Sequence, residues 1–310
     1  MKVHTDLASF KEVKKAVLTT GTFDGVHRGH RVILDRLNEV ARRTGGESVL
    51  FTFHPHPRMV LFPQDNDLKL LSTQKEKIGL LEAAGIDHLL VIPFSRTFSR
   101  MKALEYVRDV LVGALNVHAV VIGYDHRFGR NREGDIHLLR QLGEAYDFTV
   151  EEIPAEEIEH VKVSSTKIRH ALSEGDVQLA NSLLGYPYQL TGVVVKGDGR
   201  GHGLGFPTAN IRLVDPLKLV PGDGVYAVRA VLRDGGHQGM MNIGTRPTVS
   251  GNDGEGTIEV NLFDFDRDVY GELVTVEVLH RLRAEQRFDD VEALKQQLAR
   301  DRRQAMELLA

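Results

Sequence analysis

The stretch TTGTFDGVHRGHRVIL, Thr19 to Leu34, decides how the first half of the chain folds. It is entered from a short apolar run, Ala16-Val17-Leu18, and turns through Gly21, Gly25 and Gly29. It leaves as an apolar-periodic segment in which Ile33, Leu37 and Val40 share one helical face. A strand that hands over to a helix through such a turn opens a β-α unit. His27 and His30 stand three residues apart at the helix start, so they share a face. Helix N-termini present unpaired amide N–H groups and positive partial charge, and therefore attract anions. The glycines permit close approach of backbone to a phosphate. The pair is suited to stabilising charge that develops on a nucleotide phosphate. One histidine near a helix start is usually solvated or capping; two around a glycine, after a buried strand, point to chemistry. A zinc site is the weaker alternative, because HxxxH is the usual spacing for it on a helix.

The same rhythm continues outward from this stretch. Strands are expected at Ala16–Thr20, Ser48–Phe53, His88–Ile92, Val117–Ile122 and Phe148–Ile153. Helices are expected at Arg28–Arg43, Thr73–Ala84, Ser99–Leu115 and Asp135–Ala145. This alternation predicts an α/β domain, a Rossmann-like parallel sheet covered by helices, over residues 1–185. Such sheets bind ligands beyond the carboxyl ends of their strands, where the histidine turn sits. Near Gly185 the pattern changes to strand-like segments with Gly- and Asp-rich breaks. In ELVTVEVLHRL, Val274, Val276 and Val278 alternate with Thr275, Glu277 and Leu279. Residues 186–310 are expected to form a small all-β barrel or sandwich. A C-terminal helix follows, with Val291, Leu294, Leu298 and Ala305 as the stripe packed on it.

Two domains agree with a length of 310 residues. A hydrophobic content of 42% and a charged content of 26% are ordinary for a globular protein. The net charge of −4 gives no global field toward nucleic acid or membrane. The absence of cysteine excludes disulfides, zinc–thiolate sites, iron–sulfur clusters and thiol nucleophiles. With no signal-peptide core and no apolar run of membrane length, the expected location is cytoplasmic.

Four other segments carry possible chemistry. In FTFHPHP, His54 and His56 read equally as metal ligands or as parts of a proline-stiffened loop. In GYDHRFGRNREGD, Arg127, Arg130 and Arg132 concentrate positive charge, either in a solvated loop or against a phosphate or flavin ring. Around VVKGDGRGHGLGFPTANI six glycines fall from Gly192 to Gly205, both ends counted, but this is not a Walker loop, since no GK[ST] follows. Its backbone near Lys196 and Arg200 is suited to an anion nest. Thr208 and Asn210, two apart, lie on one side of an extended segment and offer hard oxygen suited to Mg²⁺ bound with nucleotide phosphates. Glu259, flanked by Ile258 and Val260, reads as a solvent-facing strand residue unless it faces the same pocket as Thr208 and Asn210.

GTFDGVHRGH resembles the HxGH signature of the nucleotidylyltransferase superfamily, as His27-Arg28-Gly29-His30. SSTKIRHAL, Ser164 to Leu172, resembles that superfamily's second signature, with hydroxyls to cap a helix and Lys167 and Arg169 as cations. GFPTANI, NIGTRPTV, IEVNLFDFDRDVYG and LRAEQRF, in this order, resemble the riboflavin kinase module. The whole chain is similar to the bacterial bifunctional riboflavin kinase/FAD synthetases. The resemblance implies a transferase that phosphorylates riboflavin to FMN in the C-terminal domain. It then adenylylates FMN to FAD, with release of pyrophosphate, in the N-terminal domain. ATP is the implied co-substrate, Mg²⁺ the cofactor, and FMN and FAD the products.

By the same resemblance His27, His30 and Glu259 are catalytic, Glu259 as base. Gly21, Thr22, Phe23, Gly29, Asp125, Ser164, Ser165, Thr166 and Arg169 hold the nucleotide of the first site. Lys196, Gly203, Gly205, Pro207, Thr208 and Asn210 hold that of the second, with Thr208 and Asn210 also holding Mg²⁺. Phe128 is an implied flavin contact, and Arg246 and Arg283 are implied flavin-pocket or closing-loop residues. The expected partners are small molecules, with no nucleic acid and no membrane; self-association is left open. Three positions depart from the family pattern: His54 where Asp precedes PHP, Gly199 where a basic residue is usual, and Asn261 where His is frequent. Two competing readings are a β domain that only binds flavin or regulates, without catalysis, and transfer to another phosphate ester. Glu259 with PTAN counts against the first; the attached kinase-like module counts against the second.

Overall fold

The computed structural model describes residues 1–10, 13–64, 67–159, 163–197, 200–245 and 256–310. The chain divides into two compact units, Met1–Ser164 and Ser165–Ala310.

The first unit is built on six parallel strands: β1 (Lys2–His4), β2 (Val17–Thr20), β3 (Ser48–His54), β4 (His88–Pro93), β5 (Ala119–Gly123) and β6 (Thr149–Ile153). Their order across the sheet is β1-β4-β3-β2-β5-β6. The inner strands read as continuous apolar runs because both faces are covered. Val17, Leu18, Val49, Leu50, Phe51 and Leu89 are fully buried. The strand order reverses at β2, which pairs with β3 on one side and β5 on the other. Open α/β sheets leave a crevice at such a reversal, at the carboxyl ends of the strands. The histidine turn begins there.

Helix α1 (Arg28–Thr44) follows that turn and buries Leu34, Leu37, Val40 and Ala41. It ends at Gly45, whose φ of 64° supplies the left-handed cap that closes a helix. Helix α2 (Gln74–Ala83) starts in a capping box between Thr73 and Glu76. Helix α3 (Ile136–Tyr146) is capped by Asp135. The single helix expected over Ser99–Leu115 is instead broken. A short turn at Arg96–Ser99 is followed by Ala103–Glu105 and a π-helix at Tyr106–Ala114. Strand β1 is an addition, its short polar sequence giving no strand signal.

The second unit begins with helices α4 (Ser165–Ser173) and α5 (Val177–Leu184). Six strands follow: β7 (Tyr188–Val195), β8 (Ala209–Leu213), β9 (Gly224–Leu232), β10 (Gly235–Thr245), β11 (Gly256–Leu262) and β12 (Leu273–Arg283). They close into a barrel in the order β10-β11-β8-β7-β12-β9. Closure removes sheet edges. Val274, Val276 and Val278 point inward and are buried, as their alternation requires.

Helix α6 (Val291–Leu309) packs on β9, β10 and β12. Its buried stripe differs from the expected one. Ala305 is buried and Leu298 packs against the same cluster, but Val291 is 59% exposed. Val291 is the first residue after the Asp290 cap and lies off the packed face. Asp301, which apolar periodicity does not select, is 1% exposed. Among the described residues no helix is long and apolar enough to cross a membrane.

Candidate active sites

The first site is made by the turn between β2 and α1. Phe23 and Val26 hold φ values of 46° and 36°, and Gly25 holds 79°. Left-handed φ is uncommon outside glycine and costs on the order of 1–3 kcal/mol per residue. Burial secures the shape: Phe23, Val26 and His27 are 3–5% exposed. Asp24, 2% exposed, accepts from the Leu71 and Ser72 amides, and the Ser72 hydroxyl accepts from the Gly25 amide. Gly21 packs against the Phe23 ring.

His27 is itself the N-cap of α1. Its Nδ1 accepts from the His30 amide at 3.2 Å. An acceptor at Nδ1 leaves the proton of a neutral ring on Nε2, which is then a donor. The two imidazoles stack, with centroids 3.6 Å apart and planes 13° apart. The Phe23 ring lies 4.8 Å from that of His30. A Cβ on Gly29 would stand 3.3 Å from the His27 ring and 3.5 Å from the Val163 carbonyl. Gly29 is therefore needed for close approach, as well as for turning.

Burial, the neighbouring His27 ring and the Lys77 ammonium hold the His30 imidazole well below its ordinary pKa. The ring is neutral near pH 7. His30 Nδ1 is buried and has no hydrogen-bond partner among the described residues. Lys77 is a site-wall residue that the sequence reading did not select. It is 7% exposed, and its Nζ donates to the Thr22 carbonyl at 2.8 Å.

The other residues expected at this site belong to several segments. Asp125 is exposed in the loop after β5. Phe128 is buried in the core beside Tyr106, their centroids 5.8 Å apart. His126, next to Phe128, has its pKa lowered to about 4, chiefly by burial. Ser164 is the last residue of the first unit; Ser165, Thr166 and Arg169 lie on the first turns of α4, in the second unit. His54 is exposed at the end of β3, and His56 caps a short helix, its Nδ1 accepting from the Arg58 amide.

The second site lies where β8 and β11 pair. Glu259 stands directly opposite Asn210, and Val260 opposite Ala209. Side chains alternate along strands, so Thr208, Asn210 and Glu259 share one face. Ile211, Ile258 and Val260 take the other, which is buried. The Thr208 hydroxyl contacts the Glu259 carboxylate at 3.4 Å. Asn261 bonds the Pro207 carbonyl at 2.7 Å and is buried, so it braces the backbone just before Thr208. Asn210 packs against Gly197, and Thr208 against Gly201, where a side chain would collide. These contacts explain two of the six glycines.

Lys196 is exposed and lies over the Tyr270 ring at 5.9 Å, and Gly203, Gly205 and Pro207 are exposed. Arg283 is committed to Asp301 of α6, with contacts of 2.8–3.1 Å. Arg246 and Gly199 lie outside the described residues. Among the described residues no group of three or more His, Asp and Glu is placed to hold a metal.

The FAD synthetase family model matches residues 9–167 and the riboflavin kinase family model residues 184–309. The bifunctional riboflavin kinase/FMN adenylyltransferase of Escherichia coli K12 is 41% identical over 295 residues, which are 94% of this chain and 92% of that one. The Bacillus subtilis 168 protein of the same description is 36% identical over 96% of this chain and 93% of its own. A crystal structure described as a macrolide-efflux protein from Streptococcus pneumoniae is 33% identical, with a TM-score of 0.88 over 97% of each chain. That description concerns the other protein; the likeness extends the shared fold along the chain. Two matching modules in sequence, and relatives alike over nearly their whole length, place this chain in the bifunctional riboflavin kinase/FMN adenylyltransferase family.

Proposed function

We propose that the chain performs both reactions for which its relatives are named, one in each module. Residues 186–310 phosphorylate riboflavin with ATP, giving FMN and ADP. Residues 1–185 adenylylate FMN with a second ATP, giving FAD and pyrophosphate. The observation that carries this reading is that two family models tile the chain, and each half holds its own cluster of suitable side chains.

In the kinase reaction the ribityl 5′-hydroxyl attacks the γ-phosphorus of ATP and ADP leaves. Glu259 takes the hydroxyl proton, and the Thr208 hydroxyl, 3.4 Å away, orients the carboxylate. Lys196, Gly203, Gly205 and Pro207 line the nucleotide. Thr208 and Asn210 offer neutral oxygen on one face, a donor set suited to Mg²⁺ that is held largely by substrate phosphates. Mg²⁺ there neutralises phosphate charge when bound. Phosphoryl transfer depends on positioning and charge neutralisation, so a rigid barrel face is the fitting scaffold. Arg246 is assigned to the flavin side of this pocket. Arg283 serves it indirectly, by holding α6 to β12.

In the transferase reaction a phosphate oxygen of FMN attacks the α-phosphorus of ATP and pyrophosphate leaves, with no covalent enzyme intermediate. His27 and His30 stabilise the pentacoordinate phosphoryl group as hydrogen-bond donors. The backbone of Gly21, Thr22, Phe23 and Gly29 approaches the phosphates. Ser164, Ser165, Thr166 and Arg169 are assigned to the triphosphate, Asp125 to the nucleotide and Phe128 to the flavin side, by family resemblance.

The test is a time course with riboflavin and excess Mg-ATP, followed by chromatography. FMN is expected first, then FAD with equimolar pyrophosphate. No FMN refutes the kinase assignment; FMN that never becomes FAD refutes the transferase assignment.

A further inference from the structure

Lys77 occupies a costly position. Lysine is rarely buried without a partner, yet this one is 7% exposed. It sits in the first turn of α2, where the helix dipole disfavours a cation. Its ammonium donates to the Thr22 carbonyl at 2.8 Å. The Thr52 hydroxyl reaches the same carbonyl at 3.4 Å. Thr22 precedes Phe23, whose left-handed backbone starts the turn and whose ring lies on His30.

We propose that Lys77 is a positioning residue for adenylyl transfer, whose ammonium clamps the Thr22 carbonyl and sets a buried positive charge beside the His27–His30 pair. The inference rests on the assignment of that pair to adenylyl transfer. The clamp holds the turn in its left-handed shape and thereby holds the Phe23 ring against His30. The charge acts on His30 together with the stacked His27 ring. Asp24, from the turn, is the opposing charge that favours the lysine cation against burial. Glu76, the neighbour on α2, is folded back onto the Thr73 amide. A cation beside an imidazole disfavours imidazolium, so Lys77 keeps His30 a neutral donor.

The test uses the full chain. Lys77→Met removes charge and donor while keeping most of the volume. His30 is followed by NMR of its ring nitrogens against pH, and both reactions are assayed. Because the chain has no cysteine, Lys77→Cys carries a sole thiol. Aminoethylating that thiol in denaturant, then refolding, rebuilds a lysine-like ammonium. In Lys77→Met the His30 titration is expected to move to higher pH. FAD formation from FMN should fall roughly 10- to 100-fold, as misplacement near a reacting centre does. Riboflavin phosphorylation should stay within about twofold and report folding of the other module. Aminoethylation should restore both the titration and the rate. An unmoved His30 titration with an unchanged rate overturns the proposal, as does a loss that aminoethylation does not restore. If the wild-type chain made no FAD from FMN, the transferase assignment would fail, while the titration would still decide whether Lys77 acts on His30.

Discussion

Asp301 is the side chain on which the docking of the C-terminal helix should turn. It is 1% exposed and receives Arg283 Nε at 3.0–3.1 Å and Nη2 at 2.8 Å, with Gln297 at 2.8 Å. Asp301→Ala leaves the Arg283 guanidinium without its counter-charge, in a place where that side chain is 17% exposed. Removing one partner of a buried pair costs about 3–5 kcal/mol, and partial water access places this case near the lower figure. For a unit of this size 1 kcal/mol shifts Tm by roughly 2–4 °C, so a drop of about 6–12 °C is expected. Calorimetry measures it, and kinase activity surviving a heat step assigns the transition to the barrel unit. Arg283→Met with Asp301→Leu should recover most of the loss, since an apolar pair of similar volume replaces a buried ion pair at little cost. A loss below about 1 kcal/mol for Asp301→Ala would refute the burial reasoning, as would a double variant no more stable than Asp301→Ala.

Gly29→Ala places a methyl 3.3 Å from the His27 ring, so FAD formation should fall about tenfold or more while FMN formation holds. Separate assays of the two steps check this. Thr208→Val keeps the shape but removes the hydroxyl that contacts Glu259; riboflavin phosphorylation should drop on the order of 100-fold, read from initial rates, with FMN adenylylation unchanged. His126, lowered to about 4 against 6.5 when unfolded, binds its proton less readily in the folded state. Its contribution therefore rises with pH between about 4 and 6.5, by at most about 1.4 kcal/mol per pH unit. His126→Phe should flatten that part of the stability–pH curve in denaturant titrations.

The parallel sheet was legible because buried strands read as apolar runs, and the strand-to-helix edge because a glycine turn marked it. The histidine pair was legible by spacing, yet its stacking and the capping role of His27 arise from a turn in which Phe23 and Val26 take left-handed φ. No side-chain pattern announces that. Lys77 was hidden because STQKEKIGL reads as an ordinary charged helix. The available signal was a lysine at the head of the stripe Lys77, Leu81, Ala84, whose members are all buried. The grouping of Thr208, Asn210 and Glu259 needed strand register, which pairs residues some fifty positions apart in a closed barrel. Asp301 is not legible because apolar periodicity passes over a buried carboxylate, and the family resemblance points its partner Arg283 to the flavin pocket or a closing loop. The π-helix after Glu105 was not legible because its buried residues, Tyr106, Val107, Val110 and Leu111, follow an i, i+4 spacing that an α-helix also shows.

The most direct measurement separates the two reactions in single variants. His30→Ala and Glu259→Ala are each given riboflavin with Mg-ATP, and then FMN with Mg-ATP, and the flavins are resolved by chromatography. His30→Ala is expected to accumulate FMN and form no FAD from either substrate. Glu259→Ala is expected to form nothing from riboflavin and to convert supplied FMN to FAD at the wild-type rate. Two variants with the same flavin products as the unaltered chain would contradict the assignment of one reaction to each module.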